Sequence, residues 1–297
     1  MINVLLPTAS RPDMLRTALQ SIASQTAVDA IDQVLVSENG GNRDSEKVCA
    51  EFPSLPITYV FRTPMPAVEH GRVLVQQCLQ SHLTAFLHDD DWWTTTHLAR
   101  AIEALQSHPN SGAYGAGHFV VSGESSMLNC SGNLFPWFGS SYAPMTQLWV
   151  LSRMNVLMAE LLGTMSHYST LVARTEVLRK ASYIFDLRNS FDNDRMLIFA
   201  LSTFADVVFN PLPEGFIRDH GKQDCYNFEL AKRAEHMCST TRWMVETSGK
   251  SWDVIAKNFG RRMALCPVNA AATLKALSKV EWCVPELMRH LKEPIVG

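Results

Sequence analysis

Four short apolar runs, each followed by apolar residues at helical spacing, fill the first hundred residues, and this alternation constrains the fold more than any other feature. Val4-Leu5-Leu6, stopped by Pro7, reads as a buried strand. Leu15, Ala18, Leu19 and Ile22 then recur at helical spacing, with Ser10 as N-cap, Pro12 near the helix start and Asp13 in the place of a capping-box acid. Further strands are predicted at Gln33–Val36, Ile57–Phe61 and Thr84–Leu87. Helices are predicted at Asp44–Glu51, Val68–Gln80 and around Leu98, Ile102 and Leu105. A βαβαβαβα order implies an α/β fold, a mainly parallel sheet flanked by helices.

The pattern then loosens. Gly112 to Ser141 is rich in Gly, Ser and aromatics and predicts loops with short strands such as His118–Val121. Helices are predicted near Gln147–Leu162, Thr175–Lys180 and Asp192–Leu201. Strands are predicted at Thr170–Ala173 and Asp206–Phe209, the latter closed by Asn210-Pro211. From about Gln223 the spacing is helical, with breaks near Gly249, Cys266-Pro267 and Pro285. We therefore expect one domain over residues 1–221 and a C-terminal helical extension over 222–297.

Composition narrows the function classes. A chain that is 46% hydrophobic and 19% charged is globular, neither a disordered tail nor a fibrous repeat. Lys and Arg total 26 against 29 for Asp and Glu, so no nucleic-acid partner is expected. Seven scattered cysteines without a C-x-x-C pair argue against a disulfide framework and a zinc knuckle. The start carries no basic n-region, and Leu148–Leu162 is interrupted by Arg153, Asn155 and Glu160. A cytoplasmic protein is expected, with attachment to the inner membrane face and homo-oligomer formation left open.

Polar clusters follow three of the predicted strands: Pro7-Thr8-Ala9-Ser10-Arg11, Ser37-Glu38-Asn39-Gly40-Gly41 and His88-Asp89-Asp90-Asp91. In an open parallel sheet, segments beyond the carboxyl ends of strands gather on one edge, where ligands bind. The first cluster also opens a helix, whose free N–H groups favour an anion. Asp89, Asp90 and Asp91 repel one another unless a cation compensates. A hard divalent ion, Mg²⁺ or Mn²⁺, bridging carboxylate and phosphate answers that need; a solvated helix start is the simpler reading, which Trp92-Trp93 weaken.

Taken together, these segments resemble family 2 glycosyltransferases of the GT-A (Rossmann-like) fold. Leu6-Pro7-Thr8-Ala9-Ser10-Arg11-Pro12 resembles their opening, Val36-Ser37-Glu38-Asn39-Gly40 their acidic second-strand motif, and Ala85 to Trp93 their DxD segment. Phe185-Asp186, Phe191-Asp192-Asn193-Asp194 and Phe216-Ile217-Arg218-Asp219-His220-Gly221 resemble later landmarks in the same order, so the likeness spans about residues 1–221.

The resemblance implies an inverting transferase that moves a sugar from a nucleotide-diphosphate sugar to a hydroxyl of a glycan or lipid-linked glycan, in polysaccharide or surface-glycan synthesis. It implies a nucleotide pocket lined by Pro7, Thr8, Ala9, Arg11, Glu38, Arg72 and Asp89, with Glu38 standing where the family usually has Asp and holding the base. It assigns Asp90, Asp91 and His220 to the metal, while His88 stands where the family commonly has Asp. Displacement at an anomeric carbon needs a neutralised leaving diphosphate and a base for the attacking hydroxyl. Asp192 matches the base position, with Asp194 and then Asp186 behind it; Asp192 also reads as a helix cap. Arg72 also reads as a surface arginine and His220 as a structural histidine. His167-Tyr168-Ser169 precedes a strand near the acceptor side, and Trp137, Phe138 and Tyr142 offer apolar faces for a sugar. The alternatives are a nucleotidyltransferase, which lacks its usual glycine-rich basic loop here, and a non-catalytic nucleotide-sugar binding module.

Overall fold

Strand β1 (Ile2–Thr8) lies between β2 (Ile31–Asn39) and β4 (Leu83–Phe86), and β3 (Ile57–Arg62) extends the sheet beyond β2; all four are parallel. The computed structural model describes residues 1–77, 81–122, 125–127, 148–160, 166–183, 193–220, 230–250 and 254. The chain winds outward through β1, β2 and β3, then returns to lay β4 on the other side of β1. Strand order reverses there, and in open α/β sheets that is where ligands bind beyond the carboxyl ends of the strands.

Side-chain alternation builds a helical layer on each face of the sheet. Ile2, Val4 and Leu6 pack with Leu15 and Leu19 of α1 (Pro12–Ala23) and Leu98 and Leu105 of α4 (His97–Ser107). Leu5 faces the opposite layer, with Phe86 and Leu74 of α3 (Ala67–Gln76). Helix α2 (Asp44–Ala50) joins β2 to β3. Truncating a fully buried leucine such as Leu15 to alanine costs about 2–5 kcal/mol, so this alternation fixes the register.

The second half continues the same sheet with mixed pairing. Strand β9 (Leu171–Arg174) is antiparallel to β4 and to β6 (Ser111–Ser122), and β6 is parallel to β10 (Asp206–Asp219). Strands β5 (Trp92–Trp93) and β8 (Trp149–Leu151) pair with β10, and β7 (Ser125–Met127) with β6. Helices α5 (Arg153–Glu160), α6 (Thr175–Ala181), α7 (Asn193–Ser202) and α8 (Leu230–Ser248) share one core, which includes Leu157, Leu178, Phe199 and Met244. The helix that opens the expected extension thus contributes Met244 and Val245 to this core, and Trp243 meets Phe199 edge-on at 5.6 Å. Of the chain beyond it, only residues 249, 250 and 254 are described. No described helix is long and apolar enough to cross a membrane.

Four expectations are corrected. The helix expected from Gln147 begins only at Arg153, because Trp149–Leu151 pair with β10 as strand β8. The glycine-rich stretch opens with a twelve-residue strand, β6, rather than loops. Its glycines serve close packing: a Cβ on Gly112 would lie 2.7 Å from Ala205 Cβ, and one on Gly115 3.0 Å from Ser166. Strand β10 does not close at Asn210-Pro211 but runs on to Asp219, its register shifting between Asn210 and Gly215, where prolines need no ladder N–H. Ser10 is not the cap of α1. Arg11 holds the N-cap position without a side-chain cap bond, Ser10 adopts a φ of 56°, and Asp13 pairs with Arg16 at 2.8 Å.

Candidate active site

The three aspartates occupy the turn between β4 and β5, where strand order reverses. The turn is tied at both ends: Leu87 N–H donates to Leu5 O at 3.1 Å, and Asp91 N–H to His88 O at 3.2 Å. All three carboxylates are buried, so mutual repulsion and loss of hydration must be met locally. The chain does so by giving Asp89 and Asp90 a shared guanidinium, that of Arg11, and turning Asp91 to other donors.

Asp89 faces the end of β1. Thr8 Oγ1 donates to it at 2.7 Å, and Arg11 closes a two-pronged contact through Nε at 3.0 Å and Nη2 at 2.5 Å. Burial pushes the Asp89 carboxyl up, against the pull of Arg11. Asp90 Oδ2 meets Arg11 Nη1 at 2.9 Å and His220 Nε2 at 3.1 Å. Burial alone raises the Asp90 carboxyl, but the facing side chains of His88, Arg11 and His220 outweigh it and hold it below the usual carboxylate range. Asp91 turns inward. Ser169 Oγ donates to its Oδ2 at 2.5 Å and the Arg218 backbone N–H to its Oδ1 at 3.0 Å. Burial first, and then Asp90, pushes its carboxyl up to about 7. Arg218 Nε donates to Asp90 O at 3.1 Å while its guanidinium lies 4.9 Å over the Trp92 ring.

Glu38 stands opposite Thr8 in the β1–β2 register. It is fully buried, its Oε2 accepts the Tyr59 hydroxyl at 2.5 Å, and its Oε1 is a buried oxygen without a hydrogen-bond partner among the described residues. Gly41, at a φ of 98°, closes the turn over it: a Cβ there would stand 1.9 Å from Ser10 Oγ and 2.9 Å from Glu38 Oε1. Ser37 Oγ pairs with His70 Nε2 at 2.8 Å and accepts Arg62 Nε at 2.7 Å. Burial, then Arg62, pushes the His70 imidazole down to about 4.

The structure therefore brings Thr8, Arg11, Asp89, Asp90 and His220 into one cluster, with Pro7 half-buried and Ala9 exposed beside it. Asp91 adjoins that cluster but bonds to Ser169 and Arg218. Arg72, on α3, forms its ion pair with Glu69 one turn away at 3.7 Å. Asp192, Asp186, Trp137, Phe138 and Tyr142 lie outside the described residues. Asp194, in the first turn of α7, stands 3.6 Å from His167 Nε2, and His167 Nδ1 stands 3.6 Å from Asp91 Oδ2. Sequence reasoning missed Tyr59 and Ser169 as carboxylate partners. The signal for Ser169 was faint, a polar triplet immediately before a strand.

The family model described as Glycosyl transferase family 2 matches residues 3–154, just over half of the chain. The chain is a family 2 glycosyltransferase. The transferase has the GT-A fold, and the family decides against the nucleotidyltransferase alternative. No curated protein matches it in sequence. Among solved structures it is similar to S. aureus TarS 1-349 in complex with UDP-GlcNAc, with a TM-score of 0.63 and 12% identity over 98% of this chain and 83% of that one. It is also similar to the mannosyltransferase PcManGT from Pyrobaculum calidifontis in complex with GDP-Man and Mn²⁺, with a TM-score of 0.54 and 13% identity over 97% of this chain and 82% of that one.

The residues of the transferase fit a divalent cation at Asp90. Its Oδ2 already meets Arg11 and His220, no hydrogen bond is made to its Oδ1 among the described residues, and carboxylate with imidazole is a donor set that such ions accept.

Proposed function

We propose that this transferase moves a sugar, with inversion, from a nucleotide-diphosphate sugar to a hydroxyl of a glycan or lipid-linked glycan. The observation that carries the reading is the meeting of Thr8, Arg11, Asp89, Asp90 and His220 at the point where strand order reverses. A nucleotide-sugar donor is supported by the UDP-GlcNAc and GDP-Man of the similar structures.

In this reading Arg11 supplies the fixed positive charge beside the diphosphate, held in place by Asp89 and Asp90. Thr8 and the N-terminus of α1 orient the nucleotide. Glu38 accepts from the base through Oε1, the oxygen that Tyr59 leaves open, once the Gly40-Gly41 turn moves aside. Asp90 and His220 would hold the divalent ion, Mg²⁺ or Mn²⁺, which when bound supplies charge neutralisation to the departing diphosphate.

Removal of the acceptor proton is assigned to a carboxylate at the start of α7. Asp192 holds this position by the resemblance; Asp194 is the second candidate because its carboxylate stands 3.6 Å from His167 Nε2, beside the triple-aspartate turn. Asp192→Asn and Asp194→Asn decide between them. Replacing the base should lower nucleoside diphosphate release by about 10²–10⁴-fold with nucleotide affinity retained. Turnover retained in both variants rejects a base at this helix start.

A further inference from the structure

We propose that His88, Asp91 and His167 form a cation site of their own, suited to a borderline ion such as Zn²⁺ and sharing no ligand with Asp90 and His220. The three side chains come from the β4–β5 turn and from the turn that precedes β9, and one donor atom of each lies within 4.8 Å of the others. From Asp91 Oδ2, His88 Nδ1 is 3.9 Å away and His167 Nδ1 3.6 Å. Such gaps are too long for hydrogen bonds. They approach the spacing of neighbours on one ion, since two donors about 2.1 Å from zinc at a tetrahedral angle stand roughly 3.4 Å apart.

Charge gives the cluster a reason to bind. Arg11 pairs with Asp89 and Asp90, whereas the hydrogen bonds to Asp91 come from a hydroxyl and a backbone N–H, both neutral. Its side chain is only 1% exposed. A buried carboxylate whose hydrogen bonds come only from neutral groups is poorly compensated, and a cation between it and the imidazoles of His88 and His167 removes the deficit.

His167 also presents the right nitrogen. Its Nδ1 accepts the Ser169 N–H at 3.2 Å, which places the lone pair there and the proton on Nε2, toward Asp194 Oδ2 at 3.6 Å. An imidazole with its lone pair toward an ion and its other N–H toward a carboxylate is the usual disposition at protein-bound zinc. An ion would displace the long Ser169 bond. His118 lies beside His167, its ring centre 5.7 Å away, and its Nδ1 is buried without a hydrogen-bond partner among the described residues. Two imidazoles and one carboxylate favour zinc over magnesium, which prefers oxygen and keeps its water. Bound there, the ion ties the triple-aspartate turn to the turn before β9.

The test uses the full-length chain, stripped with chelator and without nucleotide. Zn²⁺ affinity is read by competition with a chromophoric chelator, and Co²⁺ serves as a spectroscopic probe. The wild-type chain should hold one zinc ion and develop a visible Co²⁺ band. His88→Gln and His167→Gln should each weaken zinc at least about tenfold, while His220→Gln leaves it unchanged. His88 makes no side-chain hydrogen bond among the described residues, only ring contacts with Tyr168 and His167, so its variant should disturb the fold less than the His167 variant, and the urea midpoint of each checks this. Failure of the wild-type chain to bind zinc overturns the proposal. So does equal weakening by His220→Gln, or wild-type affinity in His88→Gln.

Discussion

Two buried carboxylates in this molecule have opposite surroundings. Glu214, on β10, has no exposed surface and is met on both oxygens: Tyr114 Oη at 2.7 Å and His97 Nδ1 at 3.0 Å on Oε2, Asn210 Nδ2 at 2.8 Å and Arg100 Nη1 at 3.1 Å on Oε1. Asp91 is as deeply buried but has one hydroxyl and one backbone N–H, in a turn where Arg11 must answer two further carboxylates. Glu214 ties α4, β6 and β10 together with partners the chain itself provides. The aspartate turn has one guanidinium shared by two of its three carboxylates and imidazoles beside Asp90 and Asp91, partners that a cation can replace. Burial alone therefore does not separate a structural acid from a working one; the donors around it do.

The strongest way to break this contrast is a crossed pair of variants. Glu214→Ala leaves the buried Tyr114, Asn210 and His97 donors without their acceptor, while the half-exposed Arg100 turns to water, and should cost about 3–5 kcal/mol of stability, read by urea denaturation, with the folded fraction still turning over. Asp90→Asn should do the reverse. Transfer should fall roughly 10²–10³-fold, as when a charge-stabilising group is lost, while the urea midpoint falls less than in Glu214→Ala, because Arg11 keeps Asp89 as its partner. If Asp90→Asn unfolds the chain, or Glu214→Ala spares stability and stops transfer, the distinction is wrong.

The same contrast explains what could be read from the sequence. Strands β1, β2, β3 and β4 were legible because hydrophobic periodicity reports burial directly, and their polar ends then had to converge at the switch in strand order. Thr8, Arg11, Asp89 and Asp90 followed from that logic, and the structure joins them. Strand β6 was hidden because Gly112 and Gly115 look like loop residues, whereas they are small so that Val177 and Ser166 can approach. The continuation of β10 was hidden because Pro211 and Pro213 stop most ladders; here they sit where the register shifts. Tyr59 and Ser169 were illegible for another reason. Which donor meets a buried carboxylate depends on the register of neighbouring strands and on the aim of a short turn, and neither leaves a period in the chain.

A pH series sharpens the comparison with a smaller effect. In the folded chain Asp91 is pushed up to about 7, whereas its ordinary value is 3.8. Between those limits the native state holds a proton that the unfolded chain has released, so raising the pH from about 4 to about 7 removes up to about 1.4 kcal/mol of stability per pH unit. Above that window the effect levels off. His70, pushed down to about 4, and His118, pushed down to about 3, tilt the curve the other way, because unfolding lets them take up protons. Both are unchanged in Asp91→Asn, so the wild-type curve minus the variant curve isolates Asp91. Measured in chelator, where no cation competes with the proton, that difference should fall with rising pH; a flat difference would mean that Ser169 and Arg218 suffice for the charge.

The smallest expected effect concerns Arg72, whose charge is met on its own helix. Its guanidinium stands 3.7 Å from Glu69, and its side chain is 37% exposed. Solvent screens such a pair, which contributes about 0–1 kcal/mol, so Arg72→Ala should move the urea midpoint little. Binding of a nucleoside diphosphate, measured by calorimetry, should also change little if charges answered at short range are structural. A tenfold loss of affinity would show that Arg72 leaves Glu69 for the diphosphate when the ligand arrives. The rule drawn from Glu214, an acid that is itself fully buried, would then not extend to an exposed acid such as Glu69, whose partner can be exchanged at little cost.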